Sequence, residues 1–256
     1  MTLTIDLSIL KSIVSSGPTP LFATISGAHL YGFHSPDSDV DLRGSFILPL
    51  NDVLRLKKPN ETLTLSEVHN HVEIDWVAHD IHKFARMMTR RNGYVLEQLY
   101  SPLIVIGGEF LDELREIGQG CIIRHLYHHY RGFAHRQLKL LETPDPSIKD
   151  LLYAYRVLLT GIHVLKTGEI EANLTKLNDR FKLPGITDLI IRKSTGTEFG
   201  NLLPADLEIH HPRLLTLETQ LTEAFDHSDL PDEPTTYQAL DDFVVRVRLQ
   251  LGGHER

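Results

Sequence analysis

Two aspartates at alternate positions, shortly after a glycine turn, constrain this chain more than any other feature. The compact apolar run at residues 21–25 predicts a buried strand, and Gly27 then breaks the pattern. Asp39 and Asp41 open the alternating run 39–48, which predicts a second strand. Side chains two residues apart on a strand point to the same face, so these two carboxylates lie side by side. Because like charges repel, the pair favours a bound divalent cation such as Mg²⁺ or Mn²⁺.

The residues around this pair extend the same prediction. Gly27 lets the backbone approach a ligand closely, and the start of the short helix expected after it offers N–H groups to a phosphate. A third strand is predicted at residues 71–78, where Glu73 and Asp75 share one face. Either one could complete a cluster of three carboxylates, which can hold two divalent ions about 4 Å apart. A D-x-D pair on its own is more often a solvated strand end, so the prediction depends on the combination.

The remainder of the chain favours helices. Residues 174–204 have no clear period. We predict a domain boundary near residue 105, which separates an α/β half (1–105) from a helical half (106–256). Helices are predicted over residues 4–15, 81–91, 94–100, 108–118, 121–142, 148–167 and, in the last segment, 234–251.

The net negative charge limits the kinds of molecule that this protein can bind. The chain has 256 residues, with 34 acidic against 26 basic side chains and a formal net charge of −8. Such a protein is repelled on average by nucleic acid, so a polynucleotide partner requires a local basic patch. Two arginine groups could provide one, although each on its own is more often a solvated helix face: Arg86 with Arg90 and Arg91, and Arg124 with Arg131 and Arg136.

Other features point to the cytoplasm. Cys121 is the one cysteine and lies in an apolar run, so we expect a small core residue and no intramolecular disulfide. The first residues lack the pattern of a signal peptide, and no apolar run approaches the roughly 20 residues that cross a bilayer. We therefore predict a cytoplasmic protein without a membrane partner. The sequence does not indicate the oligomeric state.

The pattern of glycine, short helix and D-x-D resembles the signature of the DNA polymerase β-like nucleotidyltransferase superfamily. More closely, the chain is similar to the RlaP family, whose members are associated with RNA repair. The first segments are specific for the superfamily, and the later, looser ones point to the family. The resemblance lies in residues 27–32, 38–44, Asp75 with 79–84, Asn92 with 96–99, 130–134 with Gln137, 155–159, 192–193 with 196–198, and 230–234.

This resemblance implies an α+β fold: a polymerase β-like core with a small mixed sheet and helices, followed by a mainly helical C-terminal half. It also implies that Asp39 and Asp41 bind two Mg²⁺ or Mn²⁺ ions. Asp75 would be the third carboxylate, ligating one ion and accepting the proton of the acceptor hydroxyl.

For the nucleotide, the resemblance implies that Gly27 approaches the triphosphate. The family usually has a serine after this glycine, and Ala28 stands there instead, so backbone N–H groups or the hydroxyl of Ser26 or Ser38 would replace it. Lys193 is a further candidate for the triphosphate. Arg43 could pair with a phosphate or with an acidic neighbour, and the sequence leaves both open.

The implied activity is transfer of a nucleoside monophosphate from an NTP such as ATP to an acceptor hydroxyl, with release of pyrophosphate. An RNA or tRNA 3′ end is the acceptor that the family suggests. Two alternatives stay open: nucleotidylation of a protein or small molecule, and a catalytically weakened nucleotide-binding module. The base of the NTP is not predicted.

Overall fold

The computed structural model describes residues 6–196 and 201–253. Over these residues the fold is α+β, with a five-stranded mixed sheet and helices followed by a mainly helical C-terminal half, as predicted. The strands are β1 Thr19–Ile25, β2 Val40–Ile47, β3 Thr62–His69, β4 Val72–Asp80 and β5 Ile104–Ile106. The helices are α1 Leu7–Ser15, α2 Gly27–Tyr31, α3 Leu50–Val53, α4 Ile81–Met88, α5 Gly93–Leu99, α6 Glu109–Gly118, α7 Leu126–Leu141, α8 Ile148–Thr167, α9 Leu174–Phe181, α10 Ile186–Thr195, α11 Pro204–Asp226 and α12 Tyr237–Leu251.

The described chain forms two compact units, each assembled from separate segments. The sheet unit comprises the described parts of Met1–Gly27, Asp39–Cys121 and Pro234–Arg256. The helical unit comprises Ala28–Ser38 and the described part of Ile122–Glu233. The domain boundary near residue 105 stays a prediction.

The sheet unit is built on the strand order β3-β4-β2-β1-β5. β2 and β4 are parallel, whereas the other neighbouring pairs are antiparallel. One face of the sheet forms the main core with α1, where Leu10, Leu42 and Trp76 are almost completely buried. On the other face Phe22 packs edge-on against Phe84 of α4, at 5.3 Å between ring centroids. The central strands are therefore covered on both faces.

Helix α12 is joined to the sheet by a buried ion pair. Arg248 donates from both terminal nitrogens to the carboxylate of Asp80, at 2.9 Å and 2.6 Å, and also to the carbonyl of Leu48. Asp80 additionally accepts the backbone N–H of His82 and is the N-cap of α4. One carboxylate thus fixes the end of β4, the start of α4 and the last turns of α12.

The helical unit is centred on α8. This helix begins at a capping box formed by Ser147 and Asp150, and it ends at Gly168 in the left-handed region. Most of its side chains are buried, and α7 and α11 form its most extensive contacts. A helix that is apolar nearly all round must be surrounded by partners, and α8 has that position here.

Several elements differ from the sequence-based expectations. Residues 174–204, which have no clear period, contain the two short helices α9 and α10. Lys182 and Gly185, both at positive φ, end the first and begin the second, and this turn interrupts the pattern of residues 174–204. Strand β3 is an additional strand at the edge of the sheet, where Leu63 and Leu65 alternate toward the core. Cys121 is buried, as predicted, and burial raises the pKa of its thiol.

Among the residues described, no helix combines the length and apolarity needed to span a bilayer.

Candidate active site

The pairing of β2 with β4 brings two of the predicted carboxylates together. In this parallel pair Asp41 is the register partner of Asp75, so both side chains leave the same face of the sheet. Asp39 lies two residues before Asp41, next to the start of β2, and all three residues are half-buried. The alternation predicted for both strands is thus present, and the tertiary pairing adds the adjacency of Asp41 to Asp75.

Gly27 lies directly against the carboxylate of Asp41. Its φ of +60° belongs to the left-handed region, and a Cβ at this position would fall 1.9 Å from Oδ2 of Asp41. The backbone N–H of Ser26 donates to the carbonyl of Asp41 at 2.8 Å, which holds the turn after β1 against β2. A side chain at residue 27 would displace the aspartate, so the glycine is required for this carboxylate position.

Arg43 is the main cationic neighbour of the two carboxylates. It donates to Oδ1 of Asp41 at 2.6 Å, to the carbonyls of Leu42 and Asp75 at 2.7 and 2.8 Å, and to the Tyr94 hydroxyl at 2.8 Å. Burial works to lower the pKa of the guanidinium, but Tyr94, Asp41 and Asp75 outweigh it, so the pKa of Arg43 is raised. Of the two roles considered for this residue, the structure has the pairing with an acidic neighbour.

The donor set suits hard divalent cations by its chemistry. Asp39, Asp41 and Asp75 offer only carboxylate oxygens, which Mg²⁺ and Mn²⁺ prefer. Within the described residues, however, no group of three histidine, cysteine, aspartate or glutamate side chains is arranged to hold a metal ion. The structure therefore provides a register-matched pair of carboxylates with a third aspartate nearby in sequence, and not a converged ligand cluster.

Ser26 has a buried hydroxyl at the start of this turn. The residue is 1% exposed, and among the described residues its Oγ has no hydrogen-bond partner. Buried hydroxyls normally have a partner, because leaving one unpaired costs about 1–3 kcal/mol. A polar group next to Gly27 is thus available for a hydrogen bond from a ligand or a water molecule.

The alternative third carboxylate, Glu73, has a different environment. It is exposed and accepts a hydrogen bond from Ser66 of β3 at 3.0 Å. Asp75 is half-buried, and its own backbone carbonyl is held by Arg43.

Three residues predicted to bind nucleotide belong to the helical unit. Ala28 is buried, and its carbonyl accepts the backbone N–H groups of Gly32 and Phe33. Ser38 and Lys193 are brought together through Ser35. Lys193, only 1% exposed, donates to Oγ of Ser35 at 2.7 Å, and this Oγ lies 3.0 Å from Oγ of Ser38.

The buried cation affects its surroundings. Burial, followed by the charge of Lys193, lowers the pKa of His34, so this imidazole stays neutral near pH 7. The ammonium group of Lys193 thus lies beside the hydroxyl of Ser35 and near a neutral imidazole.

Two residues of these networks were not found by sequence reasoning. Tyr94 lies in the first turn of α5 and gave no signal, because its role depends on the packing of α5 beside β2. Ser35 belongs to a polar turn that the sequence shows only as a loop, although its spacing of three residues from Ser38 is typical of a hydroxyl-bonded turn. The predicted residues therefore form two groups, Gly27 with Asp41, Arg43 and Asp75 in one unit, and Ser38 with Lys193 in the other.

Comparison with known proteins identifies a family that matches this chain. A family model described as RlaP, the RNA repair pathway DNA polymerase beta family, matches residues 6–246. The chain is also similar to "Uncharacterized protein MJ0002" of Methanocaldococcus jannaschii, with 32% identity over 159 residues. That alignment covers 61% of this chain and spans 64% of the length of the relative.

Proposed function

Because the chain belongs to the RlaP family, the RNA repair pathway DNA polymerase beta family, we propose that it is a metal-dependent nucleotidyltransferase. It transfers a nucleoside monophosphate from an NTP to an acceptor hydroxyl and releases pyrophosphate. The observation that carries this proposal is the register pair of Asp41 and Asp75, held against Gly27 at the start of α2.

The reaction is a displacement at the α-phosphorus of the NTP. The acceptor oxygen forms a bond to this phosphorus, the bond to the bridging oxygen of the leaving pyrophosphate breaks, and the hydroxyl proton passes to Asp75. Two Mg²⁺ or Mn²⁺ ions, held by Asp39, Asp41 and Asp75 when bound, would supply charge neutralisation for the attacking and leaving oxygens. The protein's own contribution is mainly positioning.

The residues around the carboxylates support a protein contribution that consists mainly of positioning. Arg43 and Tyr94 restrict Asp41 to one orientation, which reduces the rotamer freedom that must be lost on binding. Gly27 leaves room for the carboxylate of Asp41, and the hydroxyl of Ser26 is available where Ala28 offers none. We propose Lys193 and Ser38 for the triphosphate, as the resemblance to the family implies.

An RNA 3′ end is the acceptor that we propose, in line with the RNA repair description of the family. A second candidate is a nucleotide-binding module with little turnover. Two observations favour it: Ala28 stands where a serine is usual in the family that the chain resembles, and Asp41 already pairs with Arg43.

The test measures pyrophosphate release and labelling of a single-stranded RNA by α-phosphate-labelled NTPs, with Mg²⁺ or Mn²⁺. We expect activity in the wild-type protein and a loss of about 100-fold or more in Asp41→Asn and Asp39→Asn. Glu67→Gln, which changes an exposed carboxylate on β3, is the matched control and should keep wild-type activity.

Other results of this test would change the proposed activity or the proposed acceptor. Nucleotide binding without pyrophosphate release, unchanged in the Asp41→Asn protein, would reject the enzyme and favour the module. Labelled protein or small molecule in place of RNA would retain the chemistry and replace the acceptor. Ala28→Ser should raise turnover if the missing hydroxyl limits catalysis, and unchanged kinetics would mean that backbone donors are sufficient.

A further inference from the structure

Helix α7 presents one exposed face on which every charged side chain is a cation. His128, Arg131, Gly132, His135, Arg136 and Lys139 follow one another at alternating spacings of three residues and one residue along one side of the helix, and all are exposed. We call this set the cationic face of α7. From Leu126 to Leu141 the helix contains no acidic residue, although the whole protein carries a net charge of −8.

This charge pattern lacks the ion pairs of an ordinary solvated helix. Exposed helix faces often place opposite charges four residues apart, where they stabilise the helix. Here Arg131 and Lys139 lie eight residues apart with His135 between them, and no carboxylate is interleaved. Lys139 lies in the last turn, where a cation interacts favourably with the helix dipole. Arg131 and Arg136 have no such compensation along their own helix.

Gly132 is the second unusual feature of the face. It lies in the interior of α7, where a glycine is destabilising by about 1 kcal/mol relative to alanine. A Cβ at this position would meet no atom within 4 Å, and the backbone is not in the left-handed region. Neither packing nor conformation within the described chain thus requires a glycine here. A glycine between two arginines does, however, allow a ligand to approach the helix backbone closely.

The arginine side chains are ordered by aromatic rings. The guanidinium of Arg136 lies over the ring of Phe133 at 5.2 Å, and that of Arg131 lies over Tyr127 at 5.8 Å. Burial, followed by the positive charges of Arg156 and Arg136, lowers the pKa of His129 to about 4. On the neighbouring α11, Glu218 lines a groove together with Arg131. Because the carboxylate of Glu218 repels anions, an anion would bind on the α7 side of this groove.

We propose that the cationic face of α7 binds the phosphate backbone of single-stranded RNA. From Arg131 to Lys139 the helix rises about 12 Å, enough to follow more than one phosphate. The exposed imidazoles of His128 and His135 are ring systems on which bases can stack. The choice of RNA among polyanions rests on the proposed function, whereas the anion-binding face rests on the charges alone.

The test is fluorescence anisotropy of a labelled single-stranded RNA titrated with the full chain at several KCl concentrations. Arg131→Gln combined with Arg136→Gln should raise Kd at least about 10-fold, and should reduce the slope of log Kd against log [KCl] by about 1–2. Lys57→Gln combined with Lys58→Gln removes the same charge from an exposed loop and should leave Kd within about 2-fold. An equal loss in both double variants would overturn the proposal, because it would show only the effect of net charge.

Competition experiments identify the occupant and separate this proposal from the enzymatic one. Poly-glutamate or anionic lipid vesicles that displace RNA at equal charge concentration would overturn RNA as the ligand. Asp41→Asn should bind RNA like the wild type, while the Arg131/Arg136 double variant should retain nucleotide binding. If pyrophosphate release fails but RNA binding depends on Arg131 and Arg136, the proposed function fails and the binding face stands. Wild-type affinity in the double variant would reject the face, whatever the activity.

Discussion

The carboxylate of Asp41 occupies the space into which a side chain at Gly27 would point, since a Cβ there would lie 1.9 Å from Oδ2. This contact joins the turn after β1 to the first residues of β2. It explains why the position of the Asp41 carboxylate requires a glycine at residue 27, although the two residues are far apart in the sequence. The same contact gives the sharpest mutational test of the site.

Gly27→Ala should reduce nucleotidyl transfer by about 100-fold and lower the free energy of unfolding by roughly 1–3 kcal/mol. The added methyl group must displace Asp41, and alanine is strained at a φ of +60°. Gly132→Ala is the matched control. Its methyl group meets open space within an exposed helix, so the free energy of unfolding should rise by about 1 kcal/mol. Urea unfolding of both variants measures these changes. If the free energy of unfolding changed in the same direction in both variants, the requirement for a glycine at residue 27 would be contradicted.

Asp75→Asn should lower turnover about 100-fold or more, whereas Glu73→Gln should change it by less than about 3-fold. Asp75 is level with Asp41 in the parallel strand pair, whereas Glu73 is exposed and bonded to Ser66. Initial rates of pyrophosphate release at saturating NTP provide the comparison. The reverse order of effects would make Glu73 the third carboxylate.

Arg248→Leu should destabilise the protein by about 3–5 kcal/mol, because it leaves the buried carboxylate of Asp80 without its bidentate partner. Arg246→Leu, in the same helix, removes the half-exposed partner of Glu113 and should cost less than about 1 kcal/mol. Thermal and urea denaturation of the two variants would test this. Equal losses would mean that α12 is held by general packing and not by the Asp80 pair.

Acidification should destabilise the protein partly through His129. Burial, Arg156 and Arg136 lower the pKa of this imidazole from 6.5 to about 4. Below pH 6.5 the unfolded chain therefore takes up a proton that the folded protein does not, so stability is complete above pH 6.5 and falls toward pH 4. Between pH 6.5 and pH 5 this amounts to about 2 kcal/mol.

The measurement is urea unfolding at pH 7, 6 and 5 for the wild type and for His129→Gln. The variant should lose this part of the pH dependence, although other histidines with lowered pKa values, such as His34 and His210, keep theirs. His135→Gln, at an exposed position of the same helix, is the control and should follow the wild-type curve. Parallel curves for all three proteins would reject the role of His129.

Local patterns predicted much of the secondary structure. Alternation located β2 and β4, and spacings of three and four located most of the helices, because a half-buried strand and an amphipathic helix each repeat their burial along the chain. Edge strand β3 and helices α9, α10 and α11 were not located by these patterns.

The sequence by itself determined the chemical content of the site: a glycine turn, two aspartates on one strand face, and a further acidic strand. Only the tertiary structure decided that Asp75 is level with Asp41, that Arg43 turns toward Asp41, and that Tyr94 and Ser35 hold the two cations. The reason is physical. The face on which a side chain lies follows from the local period of the backbone, whereas strand register and long-range hydrogen bonds depend on how separate segments pack.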